Sequence, residues 1–85
     1  MEKTGSQLQP WGLVALMEHV AFTSSTIRSA GYDQQTMTLE VVFVNETVYQ
    51  YFDVPEHVFQ GLLVAPSAGA YLNSNIKNVY RYAKL

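Results

Sequence analysis

Thr38-Leu39-Glu40-Val41-Val42-Phe43-Val44-Asn45-Glu46-Thr47-Val48-Tyr49-Gln50-Tyr51-Phe52-Asp53-Val54 carries the strongest structural signal in the chain. Leu39, Val41 and Phe43 alternate with their neighbours at period two, which is the spacing of one face of a β-strand. Asn45-Glu46 reads as a hairpin tip, because Asn tolerates the left-handed backbone that such turns demand. Thr47–Val54 is rich in β-branched and aromatic residues and supplies the return strand. An antiparallel hairpin therefore sits at the centre of the fold.

Upstream, Thr26-Ile27-Arg28-Ser29-Ala30 gives a weaker strand signal, and Gly31-Tyr32-Asp33-Gln34-Gln35-Thr36 supplies turn chemistry. Downstream, Pro55-Glu56 changes the period. Val58, Phe59, Leu62 and Leu63 form a stripe at helical spacing, with Glu56 in a favourable first turn. Ala65-Pro66-Ser67 stops that helix, and Ser67 is a good cap for a second one carrying Tyr71, Leu72 and Ile76 inward. Asn73-Ser74-Asn75 weakens the second helix, and Asn78–Tyr82 reads as extended. Before all this, residues 1–9 are polar and unpatterned, while Leu13, Leu16, Met17 and Val20 place one apolar face on a helix from Pro10 to Val20. The expected architecture is α+β: a three-stranded antiparallel β-meander followed by two short helices packed on one face, with an extra N-terminal helix.

Both sides of the central strand are apolar at its end, since Val42 and Val44 point away from Val41 and Phe43. A sheet with one wet face alternates more cleanly. A cover is expected over the second face, either the Trp11–Val20 helix or a symmetric partner chain.

Composition narrows the function classes. The 85 residues make one small domain, and a chain of that size is marginally stable unless it packs well or self-associates. A homodimer is therefore one expectation. The chain has no cysteine, which removes disulfides, cysteine-ligated zinc, iron–sulfur clusters and thiol nucleophiles. The apolar-leaning run from Trp11 to Phe22 is too short for a bilayer, which needs about 20 residues, and the start lacks secretory features. A cytoplasmic location follows by default.

Taken in order, several short motifs resemble the KTSC domain, a module named for its place at the C-terminus of some lysyl-tRNA synthetases. They are Ser24-Ser25-x-Ile27, Gly31-Tyr32-Asp33, Leu39-x-Val41-x-Phe43, Val48-Tyr49-x-Tyr51, Val54-Pro55, Val58-x-x-x-Leu62-Leu63-x-Ala65-Pro66-Ser67, Gly69-x-Tyr71-x-Asn73-x-x-Ile76 and Tyr80. The resemblance implies a domain over residues 17–85 preceded by an N-terminal extension, 1–16. It also implies a module that occurs as a synthetase appendage or a free-standing small bacterial protein. The family's biochemical role is unassigned, and RNA binding has been suggested for it. Two positions depart from the pattern. The hairpin tip, often Gly-bearing, is Asn45-Glu46-Thr47, and the often basic position after Gly69 is Ala70.

Two features bear on nucleic acid. Tyr49-x-Tyr51 places two rings on one strand face, where they either stack successive bases or fill the core beneath the helices. Hairpin register decides: a two-residue loop puts them with Glu40, Val42 and Val44, a three-residue loop with Val41 and Phe43. Charge is polarised as well. Residues 40–69 hold Glu40, Glu46, Asp53 and Glu56 and no Lys or Arg, whereas residues 70–85 hold Lys77, Arg81 and Lys84 and no acid, with Tyr71, Tyr80 and Tyr82 interleaved. Basic-plus-aromatic composition suits a surface that meets phosphates and bases; the plainer reading is a solvated end pairing with the acidic half. Tyr49, Tyr51, Lys77, Tyr80 and Arg81 are the expected nucleic-acid contacts. The rival is a protein-interaction or self-association module using Val42 and Val44 or the Trp11–Val20 helix.

Neither catalysis, a metal nor a cofactor is expected. Asp53, Glu56, His57 and His19 match no zinc spacing. Ser24, Ser25 and Ser67 lie in no nucleophile elbow, and Gly61 and Gly69 form no phosphate loop. Gly69 suits close helix packing instead.

Overall fold

The structure, a computed structural model, describes residues 17–85. Five strands form one antiparallel sheet in chain order: β1 His19–Ala21, β2 Ile27–Asp33, β3 Thr38–Phe43, β4 Val48–Tyr51 and β5 Tyr82–Lys84. Helices α1 (Glu56–Val64) and α2 (Ala68–Asn75) intervene between β4 and β5. The α+β class and the two helices are as expected, but the sheet has five strands rather than three. The two additional strands are the edges, each only three residues long, so neither carries enough alternation to announce itself.

The helices roof one face. Ile27, Leu39, Val41 and Val54 from the sheet side are fully buried together with Leu62 of α1 and Ile76 just past α2. Two local irregularities keep this face apolar. A β-bulge between Ile27 and Ser29 shifts the alternation so that Ile27 and Ala30 are both inside. Strict alternation from Tyr51 would turn Val54 outward, but left-handed Asp53 (φ 58°) resets it, and the Val54 N–H bonds to Met37 O at 2.9 Å.

Ser67 caps α2, its Oγ accepting from Ala70 N–H at 3.2 Å. Gly61 lets the helices approach: a Cβ there would lie 2.2 Å from the Tyr71 hydroxyl, which donates to Val58 O at 3.0 Å. Gly69 packs against Thr26, whose Oγ1 would lie 3.1 Å from an added Cβ.

Several boundaries differ from expectation. Gly31–Asp33 belongs to β2, and the turn is confined to Gln34–Met37. Gly31 is needed within the strand because an added Cβ would lie 2.6 Å from Glu18 O and 2.7 Å from the His19 ring. His19 and Val20 form part of β1 and not the end of a helix, because their backbone pairs with Gly31 and Ala30; residues 10–16 of the expected helix lie outside the described residues. Asn78–Tyr80 turns rather than extends, with Asn78 at φ 66° and the Val79 and Tyr80 N–H groups bonding back to Ile76 O. The return strand is Val48–Tyr51 instead of Thr47–Val54.

Candidate nucleic-acid groove

The β3–β4 register pairs Leu39 with Tyr51 and Val41 with Tyr49, so both tyrosines lie on the roofed face with Val41 and Phe43. The loop responsible has three residues, Val44-Asn45-Glu46. Glu46 N–H donates to Phe43 O at 2.8 Å, and Glu46 itself takes the left-handed conformation at φ 73°. Asn45 serves differently: its Oδ1 accepts from Thr47 N–H at 3.1 Å and from the Thr47 hydroxyl at 2.7 Å.

β5 then adds a third tyrosine to the same face, because Tyr82 pairs with Tyr51 and Lys84 with Tyr49. The ring centroids of Tyr49 and Tyr82 are 5.5 Å apart, those of Tyr51 and Tyr82 6.1 Å, and those of Tyr49 and Tyr51 6.2 Å. Phe43 meets Tyr49 edge-on at 5.5 Å. These spacings lie in the range where aromatic pairs attract. The cluster floors a groove of about 310 Å³. One wall is Gly69, Leu72 and Asn73 of α2 with Lys77 and Asn78 beyond it; the other is Thr26, Asn45 and Thr47.

Exposure divides the rings. Tyr51 is only 3% exposed, Tyr49 half-buried, and Tyr82 57% exposed. Burial pushes the Tyr51 hydroxyl above the ordinary phenol range, with Tyr49 and Tyr82 adding to the effect; it is a neutral packing residue. Tyr82 presents the open aromatic surface. Although the chain is net negative, no carboxylate lines the groove, and its one lining cation among the described residues is Lys77. Asn73 is exposed and its amide makes no hydrogen bond among the described residues.

Of the five residues expected at the site, the fold brings Tyr49, Tyr51 and Lys77 into this groove. Tyr80 is packed against the core. Arg81 lies on the other side of the β4–β5 ribbon, because alternation turns it and Phe52 away from Tyr51 and Tyr82. Its Nη2 pairs with Asp53 Oδ2 at 2.7 Å and its guanidinium covers the Phe52 ring at 5.4 Å. Tyr82 is among the aromatics of the basic C-terminal stretch but not among the expected contacts; the pairing of β5 with β4 places it beside Tyr51 and Tyr49, and a three-residue strand leaves no periodic signal. Asn73 and Asn78 are not among the expected contacts either, and reach the groove from α2 and the turn after it.

The sheet face opposite the helices carries a second polar feature. His19, Gly31, Glu40, Gln50 and Ala83 form one row across all five strands. Since Gly31 has no side chain, the His19 ring lies across it and brings Nε2 to 3.7 Å from Glu40 Oε2, while Nδ1 is 2.8 Å from Ser29 Oγ. Glu40 is 3% exposed, and its Oε1 has no hydrogen-bond partner among the described residues. Burial raises the Glu40 pKa, an effect only partly offset by the His19 charge and by hydrogen bonding from Gln50 and His19. A wider hollow of about 530 Å³ beside Tyr32 and Phe59 is ringed by Glu18, Asp33 and Glu56, the wrong sign for a phosphate. Among the described residues no cluster of three or more His, Asp or Glu side chains could hold a metal ion, and no described helix is long and apolar enough to cross a membrane.

A five-stranded antiparallel sheet roofed on one face by two helices, with an aromatic groove where the roof meets its last strands, defines a small α+β module. The chain belongs to the KTSC domain family, whose model matches residues 23–80. A protein of Stutzerimonas stutzeri is 43% identical over 70 residues, covering 81% of this chain and 99% of that protein. A lysine–tRNA ligase of Nostoc punctiforme is 39% identical over 61 residues, which is 72% of this chain but only 11% of the ligase. Among solved structures, the crystal structure of a KTSC domain protein from Yersinia pestis superposes with a TM-score of 0.79 at 35% identity, covering 81% of this chain and 97% of that one.

Proposed function

We propose that this protein is a non-catalytic binding module that takes single-stranded nucleic acid, RNA first, in the groove between α2 and β4–β5. The observation that carries the reading is the groove's lining: an exposed tyrosine ring, the exposed amides of Asn73 and Asn78 and a lysine, with no carboxylate among the described residues that line it, in a chain of net charge −2. Stacking of a base on an aromatic ring contributes about 1–3 kcal/mol and tolerates any sequence. The similarity of this chain to a segment of lysine–tRNA ligases supports RNA as the partner.

The contact set is Tyr82, Tyr49 and Lys77, with Tyr51 as the packed support beneath them. Tyr80 and Arg81 are left out, since one ring is engaged with the core and the guanidinium with Asp53. The test is a fluorescence-anisotropy titration of a labelled 12-nucleotide RNA at 50 and 200 mM salt. Binding that weakens with salt, and about tenfold on Tyr82→Ala or Lys77→Gln, is expected. Absence of binding at 50 mM salt and high protein concentration overturns the proposal.

A further inference from the structure

Four properties of the groove bear on how much of a nucleic acid it takes. At about 310 Å³ it stands at the lower end of ligand pockets, which run from about 300 to 1,000 Å³. It offers one open ring, Tyr82, since Tyr51 is covered and Tyr49 half-buried. Among the described residues it offers one lining cation, Lys77, with Lys84 near Tyr49 on the same face. Beyond it the cations are already paired: Arg28 with Glu46 at the adjacent hairpin, at 3.8 Å, and Arg81 with Asp53 on the other side of the ribbon, at 2.7 Å. A strand of several nucleotides would need a run of free cations and a series of rings, and it would meet arginines already neutralised by carboxylates instead.

We propose that the groove is a single-nucleotide site: one base stacks on Tyr82, the amides of Asn73 and Asn78 meet the base edge, and one phosphate sits at Lys77. This rests on the nucleic-acid reading and narrows it. An amide pairs a donor with an acceptor and so can satisfy both groups on a base edge, which makes the site base-selective as well as small. The nucleotide can be free or the end of an RNA; the ligand chemistry is the same, and the two sources separate by experiment.

The full-length ¹⁵N-labelled protein is titrated, with amide shifts followed by NMR, against AMP, CMP, GMP and UMP, against adenosine without phosphate, and against a trinucleotide and a 12-nucleotide RNA. Shifts are expected at Asn73, Lys77, Asn78 and Tyr82 with at least one mononucleotide at millimolar concentration, and more weakly with adenosine. Affinity per site for the longer RNAs should lie within about threefold of the mononucleotide. Raising salt from 50 to 200 mM should weaken binding only about threefold, the effect of one phosphate on a single strand, against roughly a hundredfold for five. Asn73→Ala, on an exposed helix position, should lower affinity at least fivefold and change the order of preference among the four bases; Lys77→Gln should erase the advantage of AMP over adenosine. Binding of mononucleotides without binding of RNA assigns a free nucleotide, upholding the single-nucleotide site while removing the RNA reading. Binding of the 12-nucleotide RNA with a steep salt response, and none of 10 mM mononucleotides, overturns the single-nucleotide site and leaves the broader reading intact. No shift with any of them overturns both.

Discussion

Glu40 shows how one residue can be stable in place and still cost stability. Its carboxyl sits in a cross-strand row on the face opposite the helices, 3% exposed, with one oxygen unpartnered among the described residues. Burial disfavours the charged form, so the folded protein holds this proton more tightly than the unfolded chain does. The sign follows from linkage. Below the ordinary glutamate range, about pH 4.3, both states are protonated and the neutral carboxyl costs little; as pH rises through the elevated folded pKa, the unfolded state has already released its proton and stability falls. The titratable group facing it is His19, whose positive form would favour the carboxylate, with Gln50 the neutral neighbour. Glu40→Gln removes the charge and keeps the shape. Its amide can donate to His19 Nε2 when Nδ1 carries the ring proton toward Ser29. The expected result is a gain of about 1 kcal/mol over the wild type at pH 7, shrinking toward zero below pH 4, measured by urea denaturation across pH. A loss at pH 7 would mean that the ion pair with His19 outweighs burial.

At the scale of elements, the hairpin shows both what was legible and what was not. The β3 and β4 strands follow from alternation, and the two helices follow from the switch to helical spacing after Pro55 and from the Ser67 cap. Sequence left the register open because Asn45-Glu46 fits loops of either two or three residues. The structure resolves it through Glu46, whose φ of 73° is a conformation that glycine adopts without strain. Glu46→Gly should stabilise the protein by about 0.5–1 kcal/mol, raising Tm by about 2–8 °C. The change forfeits an ion pair with Arg28 at 3.8 Å, but both partners are largely exposed and such pairs contribute little. A lowered Tm by calorimetry would refute the strained-turn account. The edge strands and Gly31 were illegible for a different reason. β1 and β5 exist because longer strands offer them backbone partners, and Gly31 is required by a neighbour twelve residues away in sequence, so neither can be read from a local window.

Over the whole molecule, β5 ties stability and the groove to the same three residues. It closes the β4 edge, covers Tyr51 with Tyr82, brings Lys84 alongside Tyr49, and is extended by Leu85 N–H bonding to Val48 O at 2.8 Å. Tyr82 is 57% exposed, so losing its ring and uncovering one flank of Tyr51 removes apolar contact worth about 1 kcal/mol, and losing the β4–β5 backbone hydrogen bonds adds about 1–2 kcal/mol. Removing residues 82–85 should lower Tm by about 10–20 °C, since each kcal/mol moves a domain of this size by about 4–8 °C. Tyr82→Ala separates the two roles, because it keeps the backbone pairing of β5 while deleting the ring. It should cost less than half as much stability as the truncation yet lose as much affinity for RNA. A truncated chain that melts at the wild-type temperature would make β5 an appendage rather than a structural edge. Equal stability losses from truncation and from Tyr82→Ala would place the whole contribution in the ring and none in the strand pairing. The expected inequality follows from geometry: an antiparallel edge contributes hydrogen bonds along its length, whereas the groove depends on a single exposed face.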